Sequence, residues 1–406
     1  MVTPDEALRL VLERTPALEE EVVAHSEGLG RTLSRAVISR LALPPFDNSA
    51  MDGFAIIAAD LEGANAEFPV ALKVVGVLGA GEVAKKSLER GECLQIMTGA
   101  PVPKGADAVV MRENTRVSGT SVEFVAPARR GHNIRNLGSD VTRGEVVLRA
   151  GTKIGAAQWA MLASLGEAQV AVRRRPQVGI IVTGEELVAV GATLEPGQIR
   201  DSNSFALRAL VLDCGAEVAA YRHCGDSAHD LEAVLREVAQ NCDIVITSGG
   251  VSAGDFDPVR DVLLAQAEVY FWKIAMKPGK PVMFACFESK PVLALPGNPA
   301  SAMVAFEILA RPALLQMGGR HCLKRLEVPV RLQAALRSQP GRTEFARCTV
   351  LFKNGEWQAD FPTDQGSGRL STMTNANALL VVPAETTALD AGATLMARLI
   401  ECPDVE

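Results

Sequence analysis

The most constraining feature of the sequence is an alternation of apolar runs and helical patterns between residues 176 and 325. Nearly continuous apolar runs, such as VGIIV, DIVIT and PVLAL, are separated by segments such as AHDLEAVLREVAQ, whose apolar residues recur at helical spacing. Strands that are apolar on both faces and alternate with helices are typical of a parallel sheet covered on both sides. The pattern therefore predicts a doubly wound α/β domain, in which ligands bind beyond the carboxyl ends of the strands.

Three turns rich in glycine and acidic residues follow predicted strands of this domain. They are TGEEL at 183–187, SGGVSAGDFD at 248–257 and PGNPAS at 296–301. Glycines let main-chain N–H groups approach an anion, and the dipole of a helix that starts near Ala300 would add to this attraction. The residues that the turns offer for holding a phosphate-like group are Ser248, Gly249, Gly250, Ser252, Pro296, Gly297 and Asn298.

Acidic side chains lie close to the same turns. Glu186, Asp226 and Asp257 stand at or just past predicted strand ends. Carboxylates repel a bare anion, but they are good ligands for Mg²⁺, which bridges acids and phosphates. Each turn alone is more often an ordinary loop, but three at one sheet edge predict an anion site that contains magnesium.

The segment FWKIAMKPGKP places three cations within eight residues. Lys273 and Lys277 are four positions apart in a predicted strand, which would put them on one face, and Lys280 follows a Pro-Gly turn. This face is either solvated or part of the anion site.

The regions on either side of the α/β domain have different patterns. Residues 44–149 contain short β-rich runs between Gly and Pro turns, which predicts a β-rich insert domain. The insert separates residues 1–43 from residues 150–175, and we assign these two stretches to one helical linker unit. The α/β domain then spans 176–325, and residues 326–406 are predicted to form a small C-terminal β domain.

Composition excludes several classes of protein. The net charge of −7 and the pI near 5.5 are opposite to the basic footprint of nucleic-acid binders. No uninterrupted apolar stretch of about 18 residues predicts a membrane span, and the N-terminus carries acids where a signal peptide carries bases. The eight cysteines form no CxxC pair, as expected of reduced thiols in the cytosol. We therefore expect a cytoplasmic protein without membrane or nucleic-acid partners.

Two nucleotide-binding fingerprints can be tested and rejected. Gly79, Gly81 and Ala84 have GxGxxA spacing, but too few residues follow for the helix of a βαβ unit. Lys280 follows a glycine as in a P-loop, but Pro281 stands where the loop requires Ser or Thr.

Seven longer motifs occur in order along nearly the whole chain: DNSAMDGFA, IMTGAPVPKGADAVV, GHNIRNLGSDV, IVTGEEL, ITSGGVSAGDFD, FWKIAMKPGKP and LPGNPASA. Together they resemble the molybdopterin molybdenumtransferases of the MoeA and gephyrin E-domain family. The resemblance implies four domains and a homodimer whose cleft lies between the α/β domain of one subunit and the insert of the other. It also implies an enzyme that ligates molybdate to adenylylated molybdopterin and releases AMP with the help of Mg²⁺.

The resemblance further implies roles for individual residues. Asp52 and Thr98 would belong to the insert side of the cleft, with Asp140 at its edge. On the α/β side, the metal and the nucleotide phosphates would be held by Glu186, Asp226, Ser248, Gly249, Gly250 and Asp257. Molybdate and phosphate oxygens would be neutralised by Lys273, Lys277 and Lys280, and molybdate would also contact Arg342 and Ser367. The chain departs from the family at TGEEL, where the family usually has TGDEL, so Glu185 is one methylene longer.

Two other functions remain open at this point. The shared α/β domain is compatible with adenylylation of molybdopterin, although the insert motifs favour molybdate insertion. A scaffold role of the gephyrin type is a second alternative, but no second adenylyltransferase domain is present in the sequence. The implied protein partners are a molybdopterin adenylyltransferase and apo-molybdoenzymes.

Overall fold

The computed structural model describes residues 1–252 and 257–403. The chain divides into two compact units. The larger unit contains residues 1–35, 150–160 and 168–406, and the insert unit contains residues 36–149 and 161–167.

A six-stranded sheet forms the centre of the larger unit. Its strands, in spatial order, are Glu217–Cys224, Gln177–Thr183, Ile244–Ser248, Lys290–Leu295, Met283–Phe287 and Glu268–Trp272. The first four strands are parallel, and the last two are antiparallel to their neighbours. The helices around the sheet are Asn203–Asp213, Ala228–Gln240, Pro258–Gln266 and Pro299–Ala305. The predicted doubly wound α/β domain is thus confirmed.

Both faces of this sheet are buried, as the continuous apolar runs predicted. Ile180 belongs to one buried cluster and its neighbour Ile181 to the cluster on the opposite face. Gly179 allows a helix to approach closely, because a Cβ there would lie only 2.2 Å from Val238 Cγ1. The apolar pattern therefore predicts which residues form the strands, and Gly179 allows the helix Ala228–Gln240 to pack closely on one of them.

The helix that begins at Pro299 continues beyond its first segment. Residues Phe306–Ala310 form a π-helical turn, and Arg311–Met317 return to α-helix. The whole stretch Pro299–Met317 is long and apolar enough to cross a membrane, but 83% of its most apolar window is buried inside the protein. This is the behaviour of a core helix in a globular domain.

The C-terminal region of the larger unit is a closed β-barrel. Its strands are Thr343–Lys353, Glu356–Asp360, Glu327–Leu332, Thr394–Leu399 and Ala378–Val382, and the last pairs again with the first. A short strand, Met276–Lys277, joins the barrel in parallel to Thr343–Lys353. Closure leaves no free edge along most of the sheet.

The pairing of Met276–Lys277 differs from the prediction that Lys273 and Lys277 share one strand. The strand of the α/β sheet ends at Trp272, and Lys273 has a left-handed backbone with φ of 77°. The following residue, Ile274, forms an isolated bridge with Val2. The two lysines therefore lie on different elements, because the chain turns from one sheet into another between them.

The insert unit is rich in β structure, as expected. Its main sheet has the order Ala108–Met111, Gly53–Ile56, Glu92–Ile96, Val70–Leu78, Ser121–Phe124 and Thr115–Ser118. Between Val70–Leu78 and Glu92–Ile96 the described chain contains only turns and bends, so the GxGxxA spacing does not belong to a βαβ unit.

The N-terminal segments of the larger unit contain helices and a small sheet. The helix Pro4–Arg14 begins with a capping box between Thr3 and Glu6. The strand Glu20–Ala24 pairs in antiparallel fashion with Gln169–Arg173, a sheet that the sequence analysis missed. A second helix, Ala156–Ser164, begins in this unit, and its residues from Met161 onward belong to the insert unit.

The remaining elements are short. Paired two- and three-residue strands join Val37–Ile38 to Val146–Leu148, Asn48–Ser49 to Ile134–Arg135, Leu187–Val188 to Ile199–Arg200, and Leu336–Arg337 to Ala388–Leu389. Ser371–Thr374 is a single helical turn. All eight cysteines are free thiols, and burial raises the pKa of Cys93 to about 12.

Candidate functional site

The glycine turn after the strand Ile244–Ser248 lies at the carboxyl edge of the α/β sheet. Gly249 and Gly250 both have positive φ, and a Cβ on Gly249 would come within 2.6 Å of Thr183 Oγ1 on the neighbouring strand. That hydroxyl is buried and has no hydrogen-bond partner among the described residues. The turn therefore requires glycine, and it covers an unused polar group at the place where the sequence predicted an anion site.

Asn203 connects two of the predicted turns. Its side-chain amide donates to the hydroxyl of Ser248 at 2.9 Å and to the carbonyl of Gly297 at 2.7 Å. The Ser248 hydroxyl in turn donates to the carbonyl of Pro296 at 3.1 Å. Ser248 was predicted to contact a ligand, but its side chain joins the two turns to each other.

An acidic cavity of about 440 Å³ opens at this edge of the sheet. Its described lining contains four carboxylates, and the one cation among them is Arg200. The predicted residues brought together here are Glu186, Asp226, Ser248, Gly249, Gly250, Ser252, Asp257, Pro296, Gly297 and Asn298. Residues 253–256 of the SGGVSAGDFD turn lie outside the described residues.

The four carboxylates of the acidic cavity have different surroundings. Asp201 accepts hydrogen bonds from the Tyr221 hydroxyl and the Ser204 N–H, so it caps a helix. Asp257 is buried and lies 3.6 Å from Arg260. Glu186 and Asp226 are exposed. The exposed pair is therefore open to a ligand, whereas Asp257 would share its charge between Arg260 and a ligand.

These acids fit a magnesium ion that is shared with a substrate. No group of three His, Cys, Asp or Glu side chains within the described part of the chain is close enough to hold a metal by itself. Mg²⁺ usually binds through one or two carboxylates, several waters and substrate phosphates, so a preformed three-acid cluster is not required. The carboxylates Glu186, Asp226 and Asp257 could supply the protein's share of such a site.

A second, cationic cavity of about 640 Å³ adjoins the acidic one, since both are lined by Pro281, Pro296 and Asn298. It lies between the α/β domain and the C-terminal barrel. The predicted residues that it brings together are Lys277, Lys280, Pro296, Asn298, Arg342 and Ser367, and it adds Arg337, Glu344 and Asp364. Four cations thus face two carboxylates in this cavity.

Lys277 is ion-paired within the cationic cavity. Its Nζ lies 2.9 Å from Oε1 of Glu344, and the other carboxylate oxygen of Glu344 accepts a hydrogen bond from Ser338 at 2.6 Å. Glu344 is only 4% exposed. The pairing follows from the barrel register, which sets Lys277 directly beside Glu344.

The barrel loop that carries Ser367 is held from two sides, by the α/β domain and by the barrel. Asn298 donates to the Ser367 hydroxyl at 3.0 Å, which joins the loop to the α/β domain. On the barrel side, buried Arg347 donates to the carbonyl of Gly366 at 2.9 Å and to the Thr372 hydroxyl at 3.1 Å. Burial lowers the pKa of Arg347. Arg347 therefore supports the loop from inside the barrel.

Asp52 and Thr98 form a small polar site in the insert unit. Asp52 Oδ1 accepts hydrogen bonds of 2.7 Å from both the main-chain N–H and the hydroxyl of Thr98. The N–H and then the hydroxyl of Thr98 lower the pKa of Asp52. Asp140, also in this unit, is exposed, and its main-chain N–H donates to Leu43.

Lys273 is not among the described residues that line either cavity. Its Nζ lies 3.9 Å from the centre of the Trp272 ring, a cation–π contact. Lys277 and Lys280 therefore line one cavity, whereas the side chain of Lys273 packs on Trp272.

Comparisons with known proteins cover nearly the whole chain. Family models match for the MoeA N-terminal region (domain I and II) at residues 2–166, a probable molybdopterin binding domain at 179–316 and the MoeA C-terminal region (domain IV) at 329–397. A molybdopterin molybdenumtransferase 2 from Mycobacterium tuberculosis (strain ATCC 25618 / H37Rv) is 38% identical over 402 residues, which are 97% of this chain and 98% of that protein. The chain belongs to the MoeA family.

Further relatives agree with this assignment. A molybdopterin molybdenumtransferase from Haemophilus influenzae is 35% identical over 403 residues, with 97% of this chain and 98% of the relative covered. A crystal structure of a molybdopterin biosynthesis MoeA protein from Pyrococcus horikoshii OT3 superposes with a TM-score of 0.84 and 32% identity, covering 98% of this chain and all of that one. The resemblance predicted from the seven motifs is thus confirmed, together with the MoeA fold.

Several residues of this MoeA-family site were missed by the sequence analysis. They are Asn203, Arg337, Glu344 and Arg347. Asn203 could have been noticed, because RDSNS directly precedes a helical pattern, where polar side chains often cap and bind. The other three lie in or beside barrel strands, where nothing local distinguishes them from ordinary polar strand residues.

Proposed function

We propose that this MoeA-family enzyme transfers molybdate to adenylylated molybdopterin and releases AMP in a Mg²⁺-dependent reaction. The observation that carries the proposal is the direct adjacency of an acidic and a cationic cavity, which share Pro281, Pro296 and Asn298. The reaction joins a phosphate-bearing ligand, which suits a metal and a glycine turn, to a metal oxyanion, which suits lysines and arginines. The names of its relatives, molybdopterin molybdenumtransferases, support the same conclusion.

In this proposal the acidic cavity receives the adenylate end of the substrate. The main-chain N–H of Gly250 is suited to a phosphate oxygen, whereas the N–H of Gly249 donates to the carbonyl of Leu295. Asp226, Asp257 and Glu186 would hold Mg²⁺. When bound, the ion would neutralise charge on the phosphate of AMP as the phosphoanhydride bond breaks.

The cationic cavity receives molybdate. Lys280, Arg337 and Arg342 have no acidic partner among the described residues, so their charges are available to an oxyanion. Ser367 adds a hydroxyl. The dithiolene sulfurs of the substrate are themselves the nucleophiles toward molybdenum, so the protein has only to orient the two reactants and balance their charges.

We further propose that the enzyme is a cytoplasmic homodimer in which the insert unit of one copy faces the two cavities of the other. Asp52 and Thr98 would then complete the site, with Asp140 at its edge. Exposed apolar side chains of the insert unit, Phe46 and Leu137, support burial against a second chain. A molybdopterin adenylyltransferase would supply the substrate, and apo-molybdoenzymes would receive the product. Light scattering at micromolar concentration should give the mass of two chains.

The reaction can be tested with purified protein, adenylylated molybdopterin and MgCl₂. AMP release should rise with molybdate concentration. Incubation with molybdopterin and ATP should give no adenylylated product, whereas adenylylation there would favour the adenylyltransferase alternative. Lys280→Met should raise the molybdate concentration needed for half-maximal rate. The matched control is Lys290→Met. Lys290 is at the start of the strand Lys290–Leu295, and only the opposite end of that strand leads to the site, so the loss of this lysine should leave the molybdate dependence unchanged.

A further inference from the structure

Glu344 is a buried acid in a cavity that would bind an anion. Its side chain lines the cationic cavity, is 4% exposed, and contacts Lys277 at 2.9 Å and Ser338 at 2.6 Å. A buried carboxylate is costly unless it is paired, and a negative charge also repels an oxyanion. Glu344 therefore does not help the cavity to capture an oxyanion, and it must have another role there.

The other carboxylate of the cavity is different. Asp364 is exposed and lies 2.7 Å from Arg369, which is itself exposed and is not among the described residues that line this cavity. Its charge is therefore balanced from outside and screened by solvent. Glu344 alone takes its compensating charge from a cation of the cavity itself, Lys277.

We propose that Glu344 is a specificity-determining residue, which offsets Lys277 and keeps the affinity of the cavity for small dianions low, so that inorganic phosphate and sulfate do not occupy it. The inference rests on the proposed function, in which this cavity receives molybdate. An oxyanion that enters the cavity has to compete with Glu344 for Lys277. Sulfate has the same charge as molybdate, and inorganic phosphate is partly dianionic at neutral pH, so a cavity with four uncompensated cations would hold all three.

Low affinity does not prevent the reaction of molybdate. Molybdate exchanges an oxo ligand for the two sulfurs of the dithiolene, and the oxo ligand leaves as water with the two thiol protons. Molybdate is then retained by Mo–S bonds, whereas phosphate and sulfate form no such bonds and leave. The repulsion by Glu344 acts on every dianion, so binding alone does not select molybdate. The chemical step makes the selection, and the repulsion contributes to specificity by keeping the other dianions weakly bound.

The test is Glu344→Gln, which keeps the shape of the side chain and a hydrogen-bond acceptor for Lys277 but removes the charge. Binding of inorganic phosphate, sulfate and molybdate to the protein without molybdopterin is measured by calorimetry. Inhibition of molybdate-dependent AMP release by phosphate is measured in parallel. The variant should bind all three anions more tightly, and phosphate should inhibit it at about tenfold lower concentration. Unchanged or weaker anion binding would overturn the proposal.

The double variant Lys277→Met/Glu344→Gln provides a second test that does not leave a single charge buried. It removes one positive and one negative charge, so its phosphate affinity should stay close to that of the wild type. A large loss of affinity would show that Lys277 itself, rather than the balance of the pair, sets binding, and would also overturn the proposal.

The matched control is Glu327→Gln, which removes a barrel carboxylate that pairs with Arg398 at 2.7 Å. Glu327 is not among the described residues that line the cavity, so phosphate inhibition should be unchanged. If wild-type protein shows no molybdate-dependent AMP release, the proposed function fails. If the wild type is active and Glu344→Gln has wild-type anion binding, only the role of Glu344 fails.

Discussion

The side-chain amide of Asn203 donates a 2.9 Å hydrogen bond to the hydroxyl of Ser248. Both residues are buried at the carboxyl edge of the α/β sheet, and the same amide holds the carbonyl of Gly297. One side chain thus fixes the spacing between two turns of the acidic cavity, and the turn that contains Gly297 also lines the cationic cavity through Pro296 and Asn298.

Asn203→Ala should therefore impair both stability and catalysis. Loss of the amide leaves the Ser248 hydroxyl and the Gly297 carbonyl short of a partner, which should lower the free energy of unfolding by about 2 kcal/mol. AMP release should fall at saturating molybdate as well. The control is Asn377→Ala, since Asn377 makes two hydrogen bonds to the main chain of Val350 inside the barrel. Equal losses of AMP release in the two variants, after correction for the folded fraction, would contradict a role for Asn203 at the site.

The contact between Asp52 and Thr98 should be visible in an acid titration. The pKa of Asp52 lies below its ordinary value of 3.8, because the N–H and the hydroxyl of Thr98 stabilise the carboxylate. The interaction is therefore complete above pH 3.8 and is lost as the pH falls through the lower folded pKa. The amide proton of Thr98, followed by NMR, should shift with that pKa. In Thr98→Val the pKa of Asp52 should move back toward 3.8, and an unmoved pKa would contradict the hydroxyl contact.

Asp243→Asn should destabilise the larger unit. Burial alone raises the pKa of Asp243, but two hydrogen bonds from Arg174 and one from the Gln177 N–H outweigh it and lower the pKa below 3.8. We expect a loss of about 2 kcal/mol, because Arg174 remains partly solvated and keeps Glu19 as a second partner.

The pH dependence of this loss has a definite sign. A lowered folded pKa means that the contribution of Asp243 is present above pH 3.8 and disappears as the pH falls through the folded value. Urea unfolding at pH 7 should separate the variant from the wild type, and the difference should shrink in acid. Glu19→Gln serves as control, because Glu19 is 65% exposed and its loss should change little. A difference that grows in acid would contradict the assignment.

The two acids proposed to hold Mg²⁺ should differ in their structural role. Asp226 is exposed, so Asp226→Asn should raise the Mg²⁺ concentration needed for AMP release without changing the melting temperature. Asp257 is buried next to Arg260, so Asp257→Asn should change both. The measurement is AMP release against Mg²⁺ concentration, with thermal unfolding in parallel. An unchanged magnesium dependence in both variants would place the metal elsewhere.

The sequence by itself determined the type of most elements and many of the residues that line the candidate site. Apolar runs such as VGIIV predict strands buried on both faces, and Gly249 and Gly250 mark a turn where the backbone needs positive φ. Such features are local, since periodicity and backbone freedom act over a few residues. The parallel strands then bring their ends to one edge, where the predicted acids and glycines line one cavity.

Only the tertiary structure decided which side chains are paired and which are free. Lys277 was predicted to share a strand face with Lys273, but the barrel register sets Lys277 beside Glu344, and the chain leaves the α/β sheet at Lys273. Asn203 meets Ser248 across 45 residues of sequence. These partners are chosen by the register and packing of elements distant along the chain, and no local periodicity encodes that choice.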